Sequence, residues 1–151
     1  MMFGEFDIPN EHIIIKTKYC FVFTNLRPFL KYHILVSPIA KKQFLVELSE
    51  DEYVDLFLTV KLCLKSLSNF GTSFTVSIQD GAEAGQSVPH VHVHIVPRNK
   101  NDIENNDLIY AKGALDIKRN DRSFEEMKKE TYMLRKEFKK YFNVIQNESL
   151  L

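Results

Sequence analysis

Residues 90–96 read His-Val-His-Val-His-Ile-Val. Imidazoles alternate with β-branched apolar side chains, and a period of two belongs to an extended strand with two unlike faces. Val91, Val93 and Ile95 are expected to enter a core. His90, His92 and His94 would then stand in a row on the opposite face. Residues two apart on a strand are ~6.6–6.8 Å apart, so the row would run for ~13 Å. Pro89 has no N–H for a ladder and marks the expected strand start, with Pro97 at its end. The connection before it, 80–89, is longer than a hairpin requires, which suggests a ligand loop. Its Gly81 and Gly85 permit positive φ and would let backbone N–H groups converge on an anion. Gln86 and Ser87 add neutral donors.

Three imidazoles in register are poorly explained as satisfied core histidines, and a metal site is the first alternative. Two of the rings could share a zinc. All three could not easily do so, because Zn–N bonds are ~2.0–2.1 Å and the rings span ~13 Å of strand. The remaining histidines are His12 and His33, and Cys20 and Cys63 stand alone without ligand spacing.

The chain around this strand reads as one α+β domain. With 151 residues it is long enough to bury ~68–70% of its unfolded surface. His12–Lys16 and Cys20–Thr24 are β-rich runs joined by a short turn. Asn25-Leu26-Arg27-Pro28 breaks the pattern, and His33–Ser37 is a further strand stopped by Pro38. Ser49 and Glu52 form a capping box for a helix to about Asn69, with Tyr53, Leu56, Phe57, Val60, Leu64 and Leu67 as its apolar stripe and Cys63 as a small core residue. Ser73–Gln79 is a strand expected to run antiparallel to the histidine strand. Ser123 and Glu126 cap a second helix to about Asn143, with Phe124, Met127, Thr131, Leu134, Phe138 and Tyr141 on its apolar side. Between Arg98 and Arg122 the chain is polar, with Ile103, Leu108, Ile109, Tyr110, Leu115 and Ile117 as its few apolar anchors, and 99–122 is expected to be a mobile, largely irregular loop. Residues 144–151 are expected to fray. The expectation is an antiparallel sheet of about five strands packed with two main helices.

Charge excludes some partners. Lys plus Arg and Asp plus Glu both number 20, so no bulk field draws this chain to nucleic acid or an anionic membrane. No apolar run reaches membrane-spanning length. Met1–Asn10 lacks the charged and apolar regions of a signal peptide. Two unpaired cysteines suit a reducing compartment, so the expected location is cytoplasmic, with the nucleus also open to it.

The run His90-Val91-His92-Val93-His94-Ile95-Val96 resembles, residue for residue, the signature of the histidine triad (HIT) nucleotide hydrolases and transferases. Gln79-Asp80-Gly81 at the loop entrance, Pro97-Arg98 after the triad and the long second helix resemble the Fhit-like branch, the dinucleoside triphosphate hydrolases. Phe3-Gly4-Glu5-Phe6-Asp7-Ile8-Pro9 and Asn25-Leu26-Arg27-Pro28 extend the similarity, which covers about Phe3 to Phe142. This implies a HIT-like fold, a homodimer, and hydrolysis of diadenosine triphosphate to AMP and ADP through a nucleotidyl-histidine intermediate. His92 would be the nucleophile, its second nitrogen donating to the carbonyl of His90. His94 and His90 would hold phosphate oxygens from either side, His90 supported by His33. Gln79, Gln86 and Ser87 would bind phosphate, Asn25 the ribose, and Phe3 and Ile8 would wall the adenine pocket. Read alone, Asn25 is turn chemistry and Phe3 and Ile8 are core caps. Tyr110 resembles a tyrosine of the Fhit-like excursion that lies near substrate and can be phosphorylated, which implies a regulatory site; read alone, it is a solvated loop aromatic. The family usually has glycine where this chain has Tyr32. No tightly bound cofactor is implied, with Mg²⁺ accompanying the polyphosphate. The alternatives are phosphoramidase or nucleotide phosphorylase chemistry, a nucleotide-binding signalling module and, more distantly, the zinc protein.

Overall fold

The computed structural model describes residues 1–111, 113–115 and 121–148. A small hairpin, β1 (Met2–Phe3) and β2 (Phe6–Asp7), precedes a five-stranded sheet. The sheet strands are β3 (Ile13–Lys16), β4 (Cys20–Thr24), β5 (Ile34–Pro38), β6 (Ser73–Ile78) and β7 (Val93–Arg98). Their spatial order is β3-β4-β5-β7-β6, and every neighbour is antiparallel. The helices are α1 (Glu50–Ser66) and α2 (Phe124–Glu148).

Period-two alternation divides the sheet into two faces. Ile14, Cys20, Val22, Ile34, Val36, Val91, Val93 and Ile95 meet both helices in the main core, where α1 contributes Leu56, Cys63 and Leu67 and α2 contributes Leu134 and Phe138. Full burial of each large apolar side chain stabilises by ~1.5–3 kcal/mol relative to exposure. The opposite face carries Ile13, Phe21, Phe23 and Leu35, covered by Phe3 of the hairpin. A third cluster joins Val96 to Ile109 and Leu115, so the polar stretch after β7 is pinned to the sheet at those two points. Within that stretch Asn106–Tyr110 is a 3₁₀ turn, while Ile117 lies outside the described residues.

Both capping boxes form. Glu52 N–H donates to Ser49 Oγ at 3.3 Å, and Ser49 N–H donates to Glu52 Oε2 at 2.8 Å. Ser123 and Glu126 repeat the pattern at 2.9 and 3.3 Å. Three expectations need correction. Tyr53 and Phe57 face outward with Val54 and Leu58, because the face of α1 that meets the sheet is set by Leu56, Val60, Cys63 and Leu67. Helix α1 stops at Ser66 rather than near Asn69, with Leu67 as its C-cap. Helix α2 runs to Glu148, past Asn143, since no glycine or proline interrupts it; the last three residues of the expected frayed tail lie outside the described residues.

The histidine strand also differs from its simple reading. β7 begins at Val93, so His90 and His92 precede it. Pairing with β5 ends at Val36 opposite Val93. Beyond that point side chains replace the ladder: Ser37 Oγ donates to the carbonyl of Val91 at 2.7 Å, and His90 Nε2 meets the carbonyl of Pro38 at 2.9 Å. Pro97 does not end the strand. The Arg98 carbonyl accepts from Thr72 N–H on the β6 side, so the Pro97 nitrogen faces the β5 edge, where pairing has already stopped at Ile95.

Candidate active site

His90, His92 and His94 are all buried, at 0, 2 and 1% exposure. Each ring is positioned by a different partner. The Gly4 backbone N–H donates to His90 Nδ1 at 2.9 Å. An N–H is a fixed donor, so Nδ1 is unprotonated and the proton of this neutral ring sits on Nε2, where it donates to the Pro38 carbonyl. Burial, foremost, lowers the His90 pKa, and the charge of His92 lowers it further, against the pull of the Pro38 carbonyl. His90 is thus a structural ring with both nitrogens engaged. The expectation that it holds phosphate is not met by this geometry.

His92 Nδ1 lies 2.7 Å from the carbonyl of His90. A carbonyl only accepts, so Nδ1 carries hydrogen and the lone pair of the neutral ring is on Nε2. The Phe3 ring meets His92 edge-on at 5.1 Å and His94 flanks it at 4.9 Å.

His94 is set by a relay. The Phe29 backbone N–H donates to His33 Nδ1 at 3.0 Å. The proton of His33 therefore sits on Nε2, which donates to His94 Nδ1 at 3.0 Å. His94 in turn keeps its proton on Nε2, a buried atom with no partner among the described residues. Burial, then the charges of His33 and His92, hold the His94 pKa well below its ordinary value. So His33 stands behind His94 and not behind His90. The pair His92 and His94 offers a nucleophilic lone pair beside an N–H donor, which suits attack on an electrophile whose oxygens gain charge. Among the described residues no three His, Cys, Asp or Glu side chains gather as metal ligands.

These two rings open into a cavity of about 510 Å³ lined by Phe3, Ile8, Phe23, Asn25, Leu35 and Ser87, and continuing to His12, Phe124 and Met127.

Residues 7–101 match the HIT domain family. The chain belongs to the HIT family. It is 39% identical over 143 residues to the bis(5'-adenosyl)-triphosphatase of Dictyostelium discoideum, which covers 93% of this chain and 95% of that protein. Against the nitrilase and fragile histidine triad fusion protein NitFhit of Caenorhabditis elegans it is 41% identical over 140 residues, 89% of this chain but only 32% of that one. Among solved structures it resembles Plasmodium falciparum diadenosine triphosphate hydrolase in complex with cyclomarin A. There the TM-score is 0.78 at 34% identity, covering 93% of this chain and 85% of that one. These relatives put this HIT protein in the Fhit-like branch.

Not every residue expected at the site of this HIT protein reaches the cavity. Phe3, Ile8, Asn25 and Ser87 line it; Gln79 and Gln86 do not. Gln86 is turned away because its amide donates to the Gln43 carbonyl at 2.8 Å. Gln79 packs against the Cα of Gly85, where an added Cβ would lie 2.7 Å from its amide nitrogen. The glycines take positive φ, 106° at Gly81 and 91° at Gly85. However, the N–H groups of Ala84, Gly85 and Gln86 close the loop on its own carbonyls, so they do not converge outward on an anion. Asn25 Oδ1 accepts from Arg27 N–H at 2.9 Å, its turn role, while the Arg122 guanidinium holds the Asn25 carbonyl. Tyr110 is exposed and outside the cavity lining. Tyr32 adopts φ +65°, the left-handed backbone that a glycine takes freely, and its ring is held against Phe70 at 4.4 Å.

Sequence reasoning passed over Phe23 and Leu35, which form the cavity floor. Period two could have found them, since Phe23 lies two residues from Asn25 on β4 and Leu35 pairs with both Phe23 and His94. It also passed over His12 and Phe124, read there as strand and helix-stripe residues.

Proposed function

We propose that this protein hydrolyses diadenosine triphosphate to AMP and ADP, with His92 as nucleophile. The observation that carries it is the His92 Nδ1 contact to the His90 carbonyl at 2.7 Å, which puts the lone pair on Nε2 beside the His94 N–H donor. His92 Nε2 attacks the α-phosphorus, the bond to the bridging oxygen breaks, and ADP leaves. His94 Nε2–H supplies a preorganised donor where phosphoryl charge develops. Water then displaces His92 from phosphorus and AMP departs, so one difficult displacement becomes two easier ones. Support comes from relatives such as the Dictyostelium discoideum bis(5'-adenosyl)-triphosphatase and the Plasmodium falciparum diadenosine triphosphate hydrolase. The protein's own groups suffice for this scheme; Mg²⁺ enters with the polyphosphate rather than as a resident ion.

The working unit is read as a homodimer. Tyr53, Val54, Phe57 and Leu58 make an exposed apolar face on α1, and Val76 is exposed on the edge strand β6. An apolar face of that extent suits an interface between copies. Light scattering of wild type and Phe57→Glu tests this, with loss of the dimer expected in the variant. Two free, buried thiols, Cys20 and Cys63, suit a cytoplasmic location, which imaging of a tagged protein tests.

The test of function is product analysis of diadenosine triphosphate cleavage in ¹⁸O-labelled water, with and without chelator. Equal AMP and ADP, with label in AMP, is the expected result. Absence of turnover, together with rapid cleavage of an adenosine phosphoramidate, would move the protein to phosphoramidase chemistry.

A further inference from the structure

Two non-glycine residues among those described take positive φ, Asn101 at 62° and Tyr32 at 65°. Asparagine visits the left-handed region routinely, because its short side chain can hydrogen-bond locally; a tyrosine there is an outlier. Strain of this kind persists only where the surroundings hold it, and it gathers at sites that use it. The triad chemistry assigns Tyr32 no part.

The strained residue sits in the turn behind the His94 relay. His33 N–H donates to the Leu30 carbonyl at 3.2 Å, so Leu30–His33 is a β-turn with Tyr32 third. Turns that need positive φ at this place usually have glycine or asparagine there. The same few residues supply the relay. Phe29 N–H donates to His33 Nδ1 and His33 Nε2 donates to His94 Nδ1, each at 3.0 Å. The direction in which His33 leaves the turn is therefore set by the backbone angles of Tyr32.

What holds those angles is the tyrosine ring. It is half-buried and tilted against Phe70, with centroids 4.4 Å apart. Lys31 Nζ lies 4.9 Å from its centroid. Tyr32 and Phe70 both pack against the main core under the helices, while the ring of the next residue, His33, meets His94. Glycine would reach positive φ without strain but would leave it as easily. A tyrosine whose ring is seated keeps the backbone where it is.

We infer that Tyr32 is a positioning residue for the reaction. Its ring, seated on Phe70, locks the turn so that His33 Nε2 stays within reach of His94 Nδ1 and His94 keeps its proton on Nε2. Tyr32 touches no reacting atom. The inference rests on the reading of His94 Nε2–H as the donor to developing phosphoryl charge.

Two readouts test it on the whole protein. Proton NMR reports the relay itself. The His33 Nε2 proton is buried and hydrogen-bonded, so wild type is expected to show it as a downfield, slowly exchanging resonance that His33→Phe lacks. Tyr32→Gly is expected to broaden or lose that resonance, and Tyr32→Phe, which keeps the ring, to retain it. Steady-state kinetics with diadenosine triphosphate should follow. Tyr32→Gly is expected to lower kcat about tenfold, part of the ~10²-fold that loss of a whole donor costs, with KM unchanged. Tyr32→Phe is expected to match wild type. Phe70→Leu removes the seat and is expected to copy Tyr32→Gly, with the double variant no worse than either single one. Tyr141→Leu takes another half-buried ring from the same core and is expected to spare kcat. An intact His33 resonance and full kcat in Tyr32→Gly overturn the inference, as does equal damage to kcat from Tyr141→Leu. A wild type with the expected resonance pattern that cleaves no diadenosine triphosphate strikes the proposed reaction and leaves the lock on His33 standing.

Discussion

The backbone N–H of Gly4 donates to Nδ1 of His90, 86 residues further along the chain, over 2.9 Å. That bond fixes the tautomer of His90, sends its Nε2 proton to Pro38, and ties the β1–β2 hairpin to the bend whose His90 carbonyl orients His92. Gly4 has φ +60°, and a Cβ there would lie 2.6 Å from Val88 Cγ1. Gly4→Ala is therefore expected to cost about 1–2 kcal/mol from the left-handed backbone alone, with more from the clash. Chemical denaturation measures the loss, and kcat should fall with it as the His92 lone pair loses its aim.

Removing the relay behind His94 separates positioning from binding. His33→Phe deletes the donor to His94 Nδ1, so His94 no longer has to keep its proton on Nε2. Loss of one preorganised donor costs on the order of 10²-fold in kcat, with KM little changed. His33→Gln retains an amide donor and is expected to recover part of the rate. Steady-state kinetics of the two variants decides it; equal damage from both would point to packing rather than proton placement.

Stability should fall on mild acidification. Burial lowers the pKa values of His90 and His94 below the ordinary 6.5. Between the folded value and 6.5 the unfolded chain binds the proton and the folded chain does not, so each group favours folding above pH 6.5. That contribution is lost as pH drops through 6.5, at up to ~1.4 kcal/mol per pH unit for each group. Denaturation midpoints between pH 7.5 and 5 should show this slope, and His94→Gln should flatten it.

Tyr32 offers a paired comparison. Tyr32→Ala and Tyr32→Gly both lose the ring against Phe70, but only alanine keeps a Cβ at φ +65°. The glycine variant should be the more stable of the two by about 1 kcal/mol. Equal stabilities would mean that the backbone relaxes out of the left-handed region once the ring is gone.

Arg122 links α2 to the strand end at Asn25. Its guanidinium pairs with the buried Glu130 at 2.8 Å and donates to the Asn25 carbonyl. Arg122→Met leaves the carboxylate of Glu130 buried without its cation, a loss of roughly 3 kcal/mol. Adding Glu130→Gln should restore part of it. KM should rise in both, because Asn25 loses its anchor.

Much of this molecule is legible in its sequence. The alternation of 90–96 identified Val91, Val93 and Ile95 as core residues and His92 and His94 as a separate face. Ser49 with Glu52, and Ser123 with Glu126, marked two helix starts. These are local signals: strand period and capping geometry are written within a few residues. Tertiary structure alone decided that His33 serves His94, that His90 is consumed by Gly4 and Pro38, and that Gln86 turns to the Gln43 carbonyl. It also decided that Tyr53 and Phe57 face outward and that His12 and Phe124 share the triad's cavity. Each of these depends on partners far apart in the chain, such as the 61 residues between His33 and His94. Periodicity says which face a side chain occupies, whereas the proton on its ring is set by whatever donor or acceptor the fold brings there.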